Sequence, residues 1–304
     1  MTGQAEIFLA SATDRAAGIY EVLGAFDLSV LDGSSVALKA NFNSADPFPA
    51  STNIVTLATI ADAVLDAKPE KLTLAERSGG GPTREVLTDL GIIALAQDRG
   101  FEVVVLDELD RGGWHEVQDA GLTWSRGFFL ANVFARADRV VQTCCLKTHR
   151  YGGHFTGSLK NTVGCIARTV PGVNYDFMNE LHTSPRQRSM IAEINRFVKS
   201  DLVVMDATEA FASGGPDKGK IIRPDVIIGG QDRVAIDAVG VAILRSFGTV
   251  PDVMNGKIFE LEQIHRATEL EIGIGSAKEI RLVPLDKSGE IMAQKIQLQL
   301  DADA

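Results

Sequence analysis

Six short runs rich in β-branched and aliphatic residues, at 36–40, 71–75, 102–106, 140–146, 202–205 and 226–228, constrain this chain more than any other feature. The segments around them carry apolar residues at helical spacing. In Thr13–Phe26 these are Ala17, Tyr20, Leu23 and Phe26, and in Arg186–Lys199 they are Ile191, Ile194, Phe197 and Val198. Asn53–Ala67, Thr83–Gly91 and Val234–Phe247 read the same way. A parallel strand pair needs a crossover, usually a helix, so this alternation predicts a largely parallel sheet covered on both faces. The expected fold is a three-layer αβα sandwich, as one unit or as two α/β lobes; 304 residues suffice for either. Glu6–Ala10 adds a strand at the start. Near the end, Lys257–Thr268 reads as a helix and Glu279–Val283 and Lys295–Leu300 as strands. Arg111–Phe129 reads as loops or a short hairpin, and no internal repeat or low-complexity linker divides the chain.

In an open α/β sheet, ligands bind beyond the carboxyl ends of the strands. The richest strand end lies within Arg139–Pro171, where Val140–Leu146 runs into Lys147, Thr148 and His149. A glycine-bearing loop, 151–157, follows, and then Lys160 and Asn161 at the expected start of a helix. Two lysines beside helix N–H groups favour an anion. The loop is not a phosphate-binding P-loop, since Ser158 and Leu159 follow Gly157 where Lys-Ser/Thr is required.

A second strand–glycine–helix unit places Ser78, Gly80 and Thr83 as candidate ligand contacts, with Thr83 as an N-cap. A tight turn without a ligand accounts for it equally well, and its spacing is not that of a dinucleotide fold. At the end of 36–40, Lys39 or Asn41 either points into the same crevice or bonds nearby backbone. Three acids complete the set. Asp206 closes the run Leu202–Asp206, Asp232 precedes the helix from Val234, and Asp237 lies in its second turn. Asp232 serves equally well as a helix cap.

The net charge of −10 argues against a nucleic-acid partner, which would need a basic face. The cysteines are Cys144, Cys145 and Cys165; an odd, small number in a chain this long fits reduced thiols and a cytoplasmic setting. The first residues lack a basic segment followed by an apolar one, and no apolar run approaches the ~20 residues of a membrane span. No membrane partner is expected.

Lys147-Thr148-His149, then Leu159-Lys160-Asn161 and Gly164, resemble the core signature of the DUF362 proteins, a family without an assigned function. Leu202–Asp206 resembles that family's strand ending in Asp, and Gly229–Val239 its G-x-D-P-V-A-V-D-A segment, with Arg233 where proline is usual. Lys39, Asn41 and Asn43 match its K-P-N segment loosely, Ala40 replacing the proline. The resemblance covers 35–247. It implies a single domain over 1–304 with a C-terminal extension at 250–304, and it points to a site without naming a reaction. Some relatives carry a ferredoxin-like cysteine module. This chain has no C-x-x-C, so no iron–sulfur cluster is expected.

The chemistry expected of such a site is an enzyme or a binding protein for a small phosphate- or carboxylate-bearing ligand. Lys147, Lys160, Asn161 and Asn41 would hold it, and His149, Lys147 and Asp206 would carry any catalysis. Mg²⁺ is the candidate cofactor, on Asp232 and Asp237. The alternative is a redox or metal site built from Cys144, Cys145, Cys165, His149 and His154. Adjacent strand residues face opposite sides, which counts against Cys144 and Cys145 sharing an ion.

Overall fold

The computed structural model describes residues 4–152 and 154–303. Its strands are β1 (Ala5–Ser11), β2 (Ser35–Lys39), β3 (Lys71–Glu76), β4 (Glu102–Val105), β5 (Trp114–Val117) and β6 (Phe128–Ala131). They continue as β7 (Arg139–His149), β8 (His154–Thr156), β9 (Leu202–Gly214), β10 (Gly219–Ile222), β11 (Val226–Gly230) and β12 (Ile280–Pro284). A large sheet runs in the order β12-β1-β11-β9-β7-β2-β3-β4. Off this path β8 pairs with β7 and β10 with β9, and β5 and β6 form a separate hairpin.

All six sequence-predicted runs lie in this one sheet, and β4, β3, β2, β7 and β9 are mutually parallel. The fold is mixed α/β with a large, mostly parallel sheet. β11 is the exception, antiparallel to both β9 and β1. The reason lies in its connection. Only β10, itself antiparallel to β9, intervenes between β9 and β11, so no helix crosses over to restore the parallel direction.

Helices Arg15–Leu23 and Ile54–Asp66 cover one face, burying Ile19, Val22, Leu57 and Ile60 against Leu38, Val141, Val204 and Ile227. Helix Arg233–Ser246 covers the other face beside Leu146, Met205 and Ile228. Under the β5–β6 hairpin a third cluster joins Trp124, Phe128 and Phe134 to helices Phe177–Thr183 and Gln187–Ile194.

The C-terminal segment corrects the sequence reading. β12 matches the expected strand at 279–283 and pairs with β1. Lys295–Leu300, expected as a strand, forms the last turns of helix Lys287–Asp301. Its alternation suggests a two-residue period, but the buried side chains are Met292, Ile296 and Leu300, which repeat every four residues, and Ala293 beside them. Asp286 starts the helix by accepting a hydrogen bond from Gly289 N at 2.6 Å.

A second difference bears on the site. β9 does not stop at Asp206 but runs to Gly214, its second half paired with β10. Between β7 and β9 the register jumps. Cys145 faces Asp206 while Lys147 faces Phe211, so β9 holds extra residues in a bulge. Asp206 therefore sits within a strand and not at its carboxyl end.

Candidate functional site

A crevice of about 640 Å³ opens at the carboxyl ends of β2, β3 and β7. Asn41, Gly80, Lys147, His149, Lys160 and Asn161 all line it. These residues come from distant parts of the chain and meet because the parallel strands deliver their ends to one edge.

The floor is built on a charged pair. β2 ends at Lys39 and β3 at Glu76, both buried. Lys39 Nζ donates to both Glu76 oxygens at 2.8 Å and to the Ala40 carbonyl. Glu76 also accepts from Phe42 N at 3.1 Å and Arg77 N at 2.9 Å. Of the two orientations left open for Lys39, the structure has it bonding its neighbours while it lines the crevice. Gly164 lies over this pair. A Cβ there would stand 2.6 Å from Glu76 Oε1 and 2.8 Å from Lys39 Nζ.

Lys147 is buried, and its Nζ donates to Asn41 Oδ1 at 2.8 Å and to the Ala50 carbonyl. Asn41 is held in turn by its own N–H bonded to Thr52 Oγ1 at 2.9 Å. Among the described residues no carboxylate pairs with Lys147, and burial pushes its pKa down. Lys160 is partly accessible from the crevice. Among the described residues its Nζ has no hydrogen-bond or ion-pair partner. Loss of water, followed by the charges of Arg188 and Lys147, lowers the Lys160 pKa well below the ordinary lysine range. His149 is held neutral by burial first, then by the charges of Lys160, Arg188 and Lys147. Among the described residues its buried Nδ1 has no partner.

The depressed His149 pKa has a measurable consequence. The unfolded chain takes up a proton on this histidine as pH falls through about 6.5, and the folded state does not. Below that pH the group draws the equilibrium toward the unfolded state, by up to ~1.4 kcal/mol per pH unit. Stability should therefore fall as pH drops from 7 toward 5. His149→Gln should flatten this limb in urea titrations run across that range, and an unchanged slope would place the buried proton-free group elsewhere.

The helix start expected to receive an anion is already occupied. Asp237 accepts from Ser158 N at 2.6 Å, Ser158 Oγ at 2.8 Å and Leu159 N at 3.2 Å. Helix Ser158–Asn161 is thus capped by a carboxylate from Arg233–Ser246. Desolvation raises the Asp237 pKa to about 6 against those hydrogen bonds. The glycine loop is spent as well: Gly79 N and Gly80 N both donate to the Asn43 carbonyl, at 3.1 and 2.7 Å. The positive character of the crevice rests on side chains, not on helix dipoles.

The remaining sequence candidates stand outside this convergence. Ser78 Oγ donates to the Phe42 carbonyl at 2.6 Å. Thr83 is the first helical residue after Pro82 and not the cap; its Oγ1 accepts from Ser78 N at 2.8 Å and donates to Asp107. Asp206 is buried among Arg15 Nε at 2.9 Å, Thr56 Oγ1 at 2.6 Å and Thr208 Oγ1 at 2.6 Å. Asp232 caps helix Arg233–Ser246 through Ala235 N at 2.9 Å and accepts from Ile274 N at 2.8 Å. Among the described residues no three His, Cys, Asp or Glu side chains are grouped to hold a metal ion. The three cysteines are buried free thiols, and burial pushes Cys145 up to about 11 and Cys165 up to about 12, away from thiolate chemistry.

Capping and metal binding make different predictions for Asp237. Removing its carboxylate takes the acceptor from Ser158 N, Leu159 N and Gln263 Nε2 in the interior, while Ser158 Oγ keeps the Arg233 carbonyl at 3.1 Å. Asp237→Ala should cost about 2–4 kcal/mol of stability, equally with and without Mg²⁺. A loss in chemical denaturation that appears only when Mg²⁺ is present would instead mark Asp237 as a metal ligand.

Sequence reasoning did not single out Glu76, Thr156 or His182 as crevice residues. A signal for Glu76 existed: β2 and β3 are apolar runs that end in opposite charges, and parallel neighbours bring such ends together. His182 had none, since it reaches the rim from the turn-rich region after Pro171. There its Nδ1 lies 2.6 Å from the Met178 carbonyl.

The model of the family described as "Domain of unknown function (DUF362)" matches residues 36–242. This chain belongs to that family. The match contains β2 through β11 and most of helix Arg233–Ser246, so the whole floor of the crevice lies inside it. No curated protein matches the chain. Among solved structures, the lactate racemase apoprotein from Thermoanaerobacterium thermosaccharolyticum is similar at 15% identity and a TM-score of 0.46. That similarity covers 74% of this chain and 54% of the racemase, so the chain spans about half the racemase's length. Among the described residues no helix is long and apolar enough to cross a membrane.

Proposed function

We propose that this DUF362 protein binds a small phosphate- or carboxylate-bearing ligand in the crevice at the strand ends. One observation carries the reading. Lys160 is a desolvated cation that faces the crevice with no partner among the described residues. A charge largely stripped of water and without a counterion costs stability, and an anion in the crevice removes that cost. Lys147 stands ready as the second cation, steered by Asn41 and the Ala50 carbonyl. The volume of about 640 Å³ suits a small molecule. His149, neutral near pH 7, can accept a hydrogen bond from a bound ligand or donate one to it. Its replacement separates catalysis from storage: His149→Ala that binds but does not turn over marks an enzyme.

A thermal-shift screen tests the proposal with inorganic phosphate, pyrophosphate and simple mono- and dicarboxylates against neutral analogues of matched size. Anions should raise the melting temperature in a saturable manner, and the rise should weaken with added salt. No shift with any anion at millimolar concentration would overturn it.

A further inference from the structure

Beyond its cations, the crevice has a second, uncharged set of unspent groups. Asn161 and Thr156 both line it, and both are more than nine-tenths buried, at 3% and 4% exposure. Among the described residues, Asn161 Oδ1 and Thr156 Oγ1 are buried polar atoms without partners. The orientation of the Asn161 amide is fixed. Its Nδ2 donates to the Thr143 carbonyl at 3.1 Å, which could not bond a flipped amide oxygen, and to Gln142 Oε1 at 3.4 Å. The atom left over is therefore an acceptor. Thr156 stands opposite Lys147 in the β7–β8 ladder, helix Ser158–Asn161 begins shortly after it, and both residues line the one crevice.

Buried polar atoms in native proteins are satisfied in their working state. Lys160 can be satisfied by any anion, but Asn161 Oδ1 needs a donor, which a bare carboxylate does not supply. The donor must also be uncharged, because Lys160 and Lys147 line the same crevice and would repel an ammonium. A hydroxyl fits both demands, donating to Asn161 Oδ1 and accepting from Thr156 Oγ1.

We infer that the ligand is a hydroxylated anion, held by its charge at Lys160 and by its hydroxyl in the Asn161–Thr156 notch. This rests on the anion reading above and narrows it to a substrate class.

The test is calorimetric titration of matched pairs into the full chain: glycolate against acetate, glycerol phosphate against propyl phosphate, with glycine as the charged-donor control. The hydroxylated member of each pair should bind about tenfold tighter or more, since a site built to hydrogen-bond a hydroxyl rejects the analogue that lacks it. Glycine should bind no better than acetate. Thr156→Val removes a hydroxyl that has no partner in the free protein, so its fold should survive. It should cut the preference severalfold while leaving acetate and propyl phosphate affinity in place. Asn161→Leu should cut the preference further. Equal affinity within both pairs in the wild type, with anions still bound, would overturn the hydroxyl inference alone. A preference that survives in both variants would overturn it too, and failure of every anion to bind would remove it together with the anion reading.

Discussion

Lys160→Met should weaken binding of an anionic ligand by about 100-fold or more, since truncating one partner of a buried charge pair costs about 2–5 kcal/mol. The same substitution should make the ligand-free protein more stable. The wild-type ammonium is desolvated beside Arg188 and Lys147, and no carboxylate among the described residues offsets it. Methionine keeps most of the aliphatic length without the charge, so packing is retained. The pH dependence fixes the sign. A lysine whose folded pKa is depressed binds fewer protons folded than unfolded, so stability rises with pH between the two values. The advantage of Lys160→Met should be largest near neutrality and vanish as pH climbs through the ordinary lysine range. Denaturation curves from pH 7 to 10, with calorimetry on inorganic phosphate, read both effects. Unchanged anion affinity in the variant would rule out Lys160 as the anchor, and a destabilised apo variant would show that its ammonium has a partner.

Such a stability–binding trade-off is the usual mark of a site that sequence can reveal. The strand ends could be read because each is an apolar run broken by a charged or amide side chain: Lys39, Glu76, Lys147. Local composition carries that signal, and the strand-end rule converts it into a shared crevice. What composition does not carry is register. Asp206 looks like a strand end because Leu202–Met205 is apolar and Ala207–Glu209 is mixed. Pairing with β10 keeps the chain extended to Gly214, which strands the carboxylate between Arg15 and Thr56. Asp237 misleads for a different reason. An acid in the second turn of a helix looks free for a metal, yet its partner is a helix start far away in sequence, Ser158 and Leu159. That same contact removes the helix dipole from the anion argument and leaves the lysines to carry it. Lys295–Leu300 shows the limit of periodicity: six residues alternate, but the fifteen-residue helix containing them obeys a four-residue spacing.

The charged floor of the crevice should prove its most fragile part. Glu76 gathers four hydrogen bonds, from Lys39 Nζ twice and from the N–H groups of Phe42 and Arg77. It joins the ends of β2 and β3 to the loops that leave them. Glu76→Ala strips the counterion from a lysine that is 2% exposed and leaves two backbone donors unpaired. Breaking a buried pair from one side costs about 3–5 kcal/mol, enough to threaten a domain of ordinary stability. The double variant Lys39→Met/Glu76→Gln should recover part of that loss, because no charge is left buried and the glutamine oxygen can still accept from a backbone N–H. A favourable coupling in the cycle of Lys39→Met, Glu76→Gln and the double variant is the expected result. Gly164→Ala should destabilise through the same pair, since its methyl would stand 2.6 Å from Glu76 Oε1. In the Glu76→Ala background that clash is relieved, so the cost of Gly164→Ala should shrink. If Gly164→Ala costs the same in both backgrounds, the glycine is required by something other than the ion pair beneath it.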